Sequence, residues 1–408
     1  MDSYYNYKQN KYDYITIFLW FLLLGMVARV TVLLRQRAIG SFASVDKYAF
    51  LQILIVLVII SLLILSFNRI SKVFVKCKEN SVVYLLIFYF FCAISAIWSA
   101  YPLYSLYKGL EFCSVILAIF ICIDYQKDLE SAEKKVLSIS SIVIFLTILG
   151  HIKLIGFSFS FWHWHTNSYS ASSAMVFCYC AGEYFRAGRK RKKLLLYFGL
   201  FSFIFLALGT SSASNLSAAF GIFVILIFYS KAMIGILFLL FFITLFSLIK
   251  PFQGELSFIY PVLFPGKTPI EIESLRGRIY LWQHAFMIFK LNPLFGQGFG
   301  VVSSQTEKLI ASHLHNSIVG ALVGTGIFGT FFFMLYLIRL GLEIVSTIFR
   351  KLPGAIGCAG ALSAGITNSL AMPLIGDKWE ESSVVFICFN VMFVLFVLVP
   401  YKKIKKTT

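Results

Sequence analysis

Runs of about twenty apolar residues, broken by short polar stretches, recur along the whole of this 408-residue chain. A bilayer core is that deep for a helix, and a backbone crossing it must satisfy its own hydrogen bonds. The runs therefore predict an all-α fold, a polytopic helical membrane protein. Composition agrees: 59% of residues are hydrophobic and 13% charged, too little polar surface to cover a water-soluble domain. The 44 Phe and 21 Tyr suit lipid-facing and interfacial positions. About twelve spans are expected, near 14–34, 48–67, 81–100, 104–123, 136–157, 168–185, 194–209, 213–230, 232–249, 316–338, 354–374 and 382–400.

The net charge of +18 raises the question of nucleic acid. In a membrane protein, Lys and Arg gather in the cytoplasmic segments, which accounts for the charge without such a partner. "NRISKVFVKCKEN", "DYQKDLESAEKK", "RAGRKRKK" and the C-terminal "YKKIKKTT" fall on one side of the twelve-span arrangement. That side is read as cytoplasmic, with both termini in it. The first span reads as a retained anchor, because no small-residue cleavage site flanks it. Of the eight cysteines, seven fall in spans and Cys77 in a basic loop, so no disulfide framework is expected.

The arrangement divides the chain into a nine-span bundle (1–249), a long outward-facing loop (250–315) and a three-span bundle (316–408). A loop this long in an economical chain is usually functional. It opens with turn-rich "KPFQGELSFIYPVLFPGKTP". An amphipathic helix follows, with Leu275, Ile279, Trp282, Ala285, Phe286 and Phe289 at helical spacing. Pro293 and "GQGFG" end it, and "GQGFG" reads as a flexible turn that could press against a substrate.

Candidate chemistry lies along the outer edge. His315 and Asn316 stand where a helix begins, in "HLHNSIVGALVGTGIFG". Amide N–H groups there favour an anion, and a neutral imidazole can take a proton from a hydroxyl. The bland alternative is an interfacial histidine with an asparagine cap, followed by glycines that permit close helix packing. Arg276 and Arg278 present planar forks suited to phosphate oxygens; ordinary headgroup contact is the alternative. Lys108 either pairs with Glu111 three residues on or adds charge to the site. "HWH" at His163–His165 could ligate a metal, but no carboxylate or cysteine completes a set nearby, and an aromatic belt explains it better. Asn167 sits at a helix start, and "GTSSASNLSA" forms a hydroxyl-rich turn; capping is the default for both, a sugar-lined site the sharper reading.

"RIYLWQHAFMIFKLNPLFGQGFG", a short polar segment and then "HLHNSIVGALVGTGIFG" resemble the O-antigen ligase/polymerase family. The family signature, His-Asn, nine residues, Gly, two residues and a small residue, falls here on His315, Asn316, Gly326 and Gly329. Arg278, Trp282, Asn292, Pro293, Gly296 and Gly298 also match, with weaker echoes in "IWSAYPLYSLYKGLEF", "HTNSYSAS" and "GTSSASNLSA". The resemblance covers roughly 95–340. It implies a bacterial inner-membrane glycosyltransferase acting on undecaprenyl-diphosphate-linked glycan at the periplasmic face. The transfer is inverting and independent of metals and cofactors. Its partners are the lipid-linked oligosaccharide or polysaccharide, an acceptor glycan (a repeat unit or lipid A–core) and membrane lipid, with no nucleic acid. His315 is then the base, with Arg278, Arg276 and Lys108 on the diphosphate and Asn316, Asn167, Gly326 and Gly329 supporting. The pattern looks closer to polymerases of O-antigen or exopolysaccharide than to core ligases, and ligation stays the alternative. Members often carry a basic residue in the Ser-rich turn at 209–215; here it has none, so Lys108 or Arg276 compensates or the diphosphate contacts differ. A twelve-span transporter is a further alternative. Against it, no repeat is visible and no Gly-x-x-x-Asp-Arg pattern follows the second span.

Overall fold

The computed structural model describes residues 2–33, 46–155, 167–209, 211–229, 278–301, 314–348, 350, 352–377 and 379–400. Every regular element among them is helical: α1 (Asp2–Thr31), α2 (Lys47–Leu65), α3 (Phe67–Cys77), α4 (Ser81–Ile94), α5 (Pro102–Asp124), α6 (Leu129–Ile155), α7 (Asn167–Tyr184), α8 (Arg189–Leu208), α9 (Ser212–Tyr229), α10 (Arg278–Phe289), α11 (Ser317–Ile348), α12 (Ala355–Ser369) and α13 (Glu381–Met392). A 3-10 turn extends α4, and a π-helical stretch, Phe393–Leu398, continues α13.

Among the described residues, seven helices are long and apolar enough to cross a membrane: α1, α2, α5, α6, α9, α11 and α13 with its extension. The expected span at 232–249 lies outside the described residues. Two elements differ from expectation. The basic "NRISKVFVKC" segment, expected as a loop, is the helix α3. Its buried Val73 and Cys77 recur at helical spacing among charges that mask the pattern in a hydropathy average. The helix expected at 316–338 runs on to Ile348 and is broken at Gly326.

The core is built around α13. It is buried on every side and apolar beyond its first turn except for Asn390, which suits a helix enclosed by others. Beside it, α12 reads "AIGCAGALSAGITNS", so its neighbours approach closely. A Cβ on Gly182 of α7 would lie 2.9 Å from the Gly357 backbone, and one on Gly221 of α9 would lie 2.7 Å from the Gly360 carbonyl oxygen. Small residues at these crossings let backbones meet, the usual route to tight association in lipid.

Hydrogen bonds sort the helix ends into two groups. At one end, Asn316 Nδ2 before α11 donates to the Leu370 carbonyl after α12 (3.1 Å), and Asn368 Nδ2 donates to Ser214 and Ser217 of α9 (3.0 and 3.1 Å). Ser211 Oγ then donates to Asn167 at the head of α7 (2.7 Å). At the other end, Arg191 of α8 pairs with Glu133 of α6 and with Glu183 of α7 (3.0 Å). Glu133 also accepts the Tyr179 hydroxyl (2.7 Å), and Glu183 accepts the Gly357 amide of α12 (3.0 Å). Lys76–Asp124 (2.7 Å) and Arg339–Glu343 (3.4 Å) belong to this end as well. It is the end rich in Lys and Arg among the described residues.

Glu133 and Glu183 are fully buried, so removing Arg191 leaves two buried carboxylates without their cation, at a cost of about 3–5 kcal/mol. Arg191→Met is expected to lower the unfolding midpoint of the purified protein sharply. Adding Glu133→Gln and Glu183→Gln should recover most of the loss. A single variant that melts with the wild type would remove the clamp from this account.

Candidate functional site

The segment Asn292–Gly300, read from the sequence as a flexible turn, bonds to the middle of α11. It is inserted into α11. In an unbroken helix, Ile327 and Phe328 would donate to the carbonyls of Val323 and Gly324, four residues back. Here Gly326 takes φ 65° and ψ −166°, a region open in practice only to glycine, and the ladder opens. The freed groups are all met by the inserted loop. Ile327 N donates to Pro293 O (2.9 Å) and Phe328 N to Leu294 O (3.2 Å). Val323 O accepts from Gln297 N and Gly324 O from Gly298 N, both at 3.0 Å. Four bonds to the loop replace two within the helix, so no backbone group is stranded at the break. A Cβ on Gly326 would lie 2.3 Å from Leu294 O, and one on Gly296 would lie 2.5 Å from Gly326 N.

The loop is also bolted to the first half of the chain. Phe299 is buried among Phe88, Tyr89 and Phe112, with ring centroids 6.0–6.2 Å away. Its amide donates to Ser95 Oγ (2.9 Å), and its carbonyl accepts from Ser105 Oγ (3.0 Å). Trp98 Nε1 donates to Phe295 O (3.0 Å). Gly329 leaves room for the Thr325 side chain and the Phe91 ring.

Above this interlock, α10 packs along the first turns of α11. Leu281 and Ala285 are buried with Leu314, Val319 and Val323, and Trp282, Ile288 and Phe289 lie against them. Of the apolar residues read at helical spacing, Ala285 is buried with Leu281, while Ile279 and Phe286 are exposed. Leu275 lies outside the described residues. The two helices run in the same direction. Trp282 Nε1 donates to Leu314 O (2.9 Å) near the start of α11, and Ile288 O accepts from Gln297 Nε2 (3.1 Å) farther along. Arg278, the first residue of α10 and one turn before Trp282, therefore stands at the His315 end of the pair.

His315 has φ 53°, the one non-glycine residue with a positive φ among those described. Such a conformation costs about 1–2 kcal/mol and persists only where neighbours impose it. Here Trp282 holds the preceding carbonyl. Asn316 caps α11: its Oδ1 accepts from Ile318 N (2.9 Å) and Val319 N (3.0 Å). The capping expected of Asn316 is thus present, and His315 sits at the positive end of α11.

The remaining candidates are distributed as follows. Lys108 Nζ donates to Glu111 (2.7 Å), whose other oxygen accepts from Gln52 Nε2 (2.9 Å) and Tyr107 OH (3.0 Å). A Cβ on Gly300 would lie 3.4 Å from Lys108 Cγ, so the pair borders the inserted loop. Asn167 accepts from Ser211, and Ser211 Oγ in turn accepts from Ser214 N (3.3 Å) at the head of α9, so the serine-rich turn does cap a helix. Its buried hydroxyls face α7 and α12. Arg276, His313, His163 and His165 lie outside the described residues, and among the described residues no group of His, Cys, Asp or Glu forms a metal-binding set.

Sequence reasoning missed the segment after α12. Leu370 O and Met372 O accept from Asn316 and Ser317, and a Cβ on Gly320 would meet Asp377 at 2.5 Å, one turn into α11. It also missed the anchoring by Ser95, Trp98 and Ser105. Its one trace was the small polar residues of "ISAIWSAYPLYS" in an otherwise apolar stretch.

The fold is that of a multi-pass helical membrane protein in which α10 and the glycine loop both pack on α11. Residues 196–334 match the family described as O-antigen ligase. The match spans about a third of the chain and agrees with the resemblance carried by the motifs around His315. The matched stretch runs from α8 into α11 and contains the Ser-rich turn, α10, the inserted loop, His315 and the Gly326 break. No curated protein matches the chain.

The interlock separates two neighbouring glycines. Gly326→Ala puts a Cβ into Leu294 O at a backbone conformation alanine avoids, and is expected to cost about 2–3 kcal/mol or more. Gly324→Ala meets nothing closer than 3.5 Å and should shift stability by less than about 1 kcal/mol. Thermal melting of both purified variants checks this; equal effects would contradict the inserted-loop geometry.

Proposed function

We propose that this protein transfers a glycan from a lipid diphosphate carrier to a sugar hydroxyl at the outer membrane face. The observation that carries the proposal is His315, held at positive φ at the head of α11 on the same end as Arg278. The family match to O-antigen ligase supports it. In this reading about twelve spans place that end in the periplasm and the Arg191 end in the cytoplasm, as the Lys and Arg distribution favours.

The reaction is a single displacement. The acceptor oxygen attacks the anomeric carbon while the bond to the diphosphate oxygen breaks, so the configuration inverts. His315 takes the acceptor proton, and Arg278 with Arg276 meets the charge left on the departing diphosphate. A diphosphate is already a good leaving group, so positioning and charge stabilisation suffice without a metal. Lys108 shares its charge with Glu111, and we assign it to holding the glycine loop beside the site. Asn316, Gly326 and Gly329 keep the histidine in place, and Asn167 ties α7 to α9 at the same end.

The sequence pattern around "GRIYLW" and "NPLFGQGFG" favours polymerisation of O-antigen or exopolysaccharide repeats. The description of the matched family favours the second reading, ligation to lipid A–core. A lipopolysaccharide gel of a deletion strain separates them. Core bearing one repeat marks a lost polymerase; core bearing none, with polymer kept on the carrier, marks a lost ligase.

His315→Ala is expected to abolish transfer at unchanged protein level, and normal polysaccharide banding would reject the base. Arg278→Lys keeps the charge but loses the fork, so transfer should fall at least about tenfold. Full activity would reject the clamp. Transfer by the purified protein is expected to survive EDTA; a strict need for divalent metal would bring the His163–His165 pair back as ligands.

A further inference from the structure

The first turn of α8, "RKRKK", carries five cations in a row, Arg189 to Lys193. Only Arg191 turns inward, and it occupies the two nearby carboxylates, Glu133 and Glu183. Among the described residues no carboxylate pairs with Arg189, Lys192 or Lys193. With Tyr184 and Leu196 these three line an open recess of about 320 Å³. The Lys192 ammonium stands 5.7 Å from the Tyr184 ring centroid, which sets one wall of the recess.

Helical spacing extends the recess into a stripe. Residues 189, 193, 196, 200 and 203 follow one another three or four positions apart and so share one face of α8. The stripe begins with the cations and continues through Leu196 (44% exposed), Leu200 (51%) and Phe203 (51%). A surface that is cationic for one turn and apolar for the next two has the shape of an amphiphile. An inorganic anion would use only its head, and an acidic peptide would leave the apolar stripe in contact with water.

We propose that this face binds an anionic phospholipid, with its phosphate on Arg189, Lys192 and Lys193 and an acyl chain along Leu196, Leu200 and Phe203. The site lies at the end opposite His315 and is independent of the transfer chemistry. It rests on α8 crossing the membrane. Bound lipid would fix the depth of α8, and hence of the Arg191 clamp, against the headgroup layer.

The test is native mass spectrometry of the full chain, titrated with dioleoylphosphatidylglycerol or dioleoylphosphatidylcholine. The anionic lipid is expected to bind at least about tenfold tighter. Arg189→Gln/Lys192→Gln/Lys193→Gln should erase that preference. Lys72→Gln/Lys78→Gln/Lys127→Gln removes as many exposed cations from the same end and should preserve it. Millimolar inorganic phosphate should not displace the lipid. The proposal is overturned if the wild type shows no preference, if both triple variants lose it equally, or if free phosphate strips the lipid. Among the described residues none of the six forms an ion pair with a buried carboxylate, and unchanged melting midpoints would show that each variant is folded.

Discussion

The exchange of backbone hydrogen bonds between the Asn292–Gly300 loop and α11 is the constraint on which the rest of the molecule depends. A helix opened inside a membrane protein strands two donors and two acceptors, and the low dielectric makes each of them costly. The loop supplies their partners and is supplied in return, so neither piece is stable in this form without the other. Phe299, Ser95 at the end of α4 and Ser105 in the first turn of α5 then fix the loop to the first half of the bundle. The consequence reaches the site. The first turns of α11, with His315 and Asn316 at their head, form a short segment whose direction is set by the break at Gly326. A continuous helix would point them elsewhere.

At the opposite end the account rests on charge. Glu133 and Glu183 are buried, and both are matched by one arginine, with a tyrosine hydroxyl and a backbone amide completing their contacts. Four helices, α6, α7, α8 and α12, meet at that point. At the His315 end, Asn167, Ser211, Ser214, Ser217 and Asn368 bond to one another across α7, α9 and α12.

Much of this was legible in the chain itself. Helices stand where the apolar runs fall, because a bilayer-length run has little else to do, and the Asn316 cap followed from its place before an apolar segment. What stayed hidden depended on partners distant in sequence. The kink at Gly326 needs carbonyls some thirty residues upstream, and nothing local distinguishes it from the packing glycines around it. The side of α10 that packs was not legible, because apolar residues in a membrane protein serve lipid as well as core: Ala285 is buried while Ile279 and Phe286 are exposed. Lys108 was left open between a pair with Glu111 and a place in the site; the pair forms, and Gln52 and Tyr107 complete it from a second helix and the next turn. α3 escaped notice because its charges offset its apolar face.

The central claim is that the lipid diphosphate binds where α10 and α11 begin. The most direct measurement is photo-crosslinking. A lipid-diphosphate-linked sugar with a photoreactive group beside the diphosphate is irradiated with the purified chain, and the labelled peptides are mapped. The account expects labels near Arg278–Trp282 and His315–Gly320, suppressed by unlabelled donor. Labels confined to the Tyr184–Leu196 end, or labels that unlabelled donor does not suppress, would contradict it.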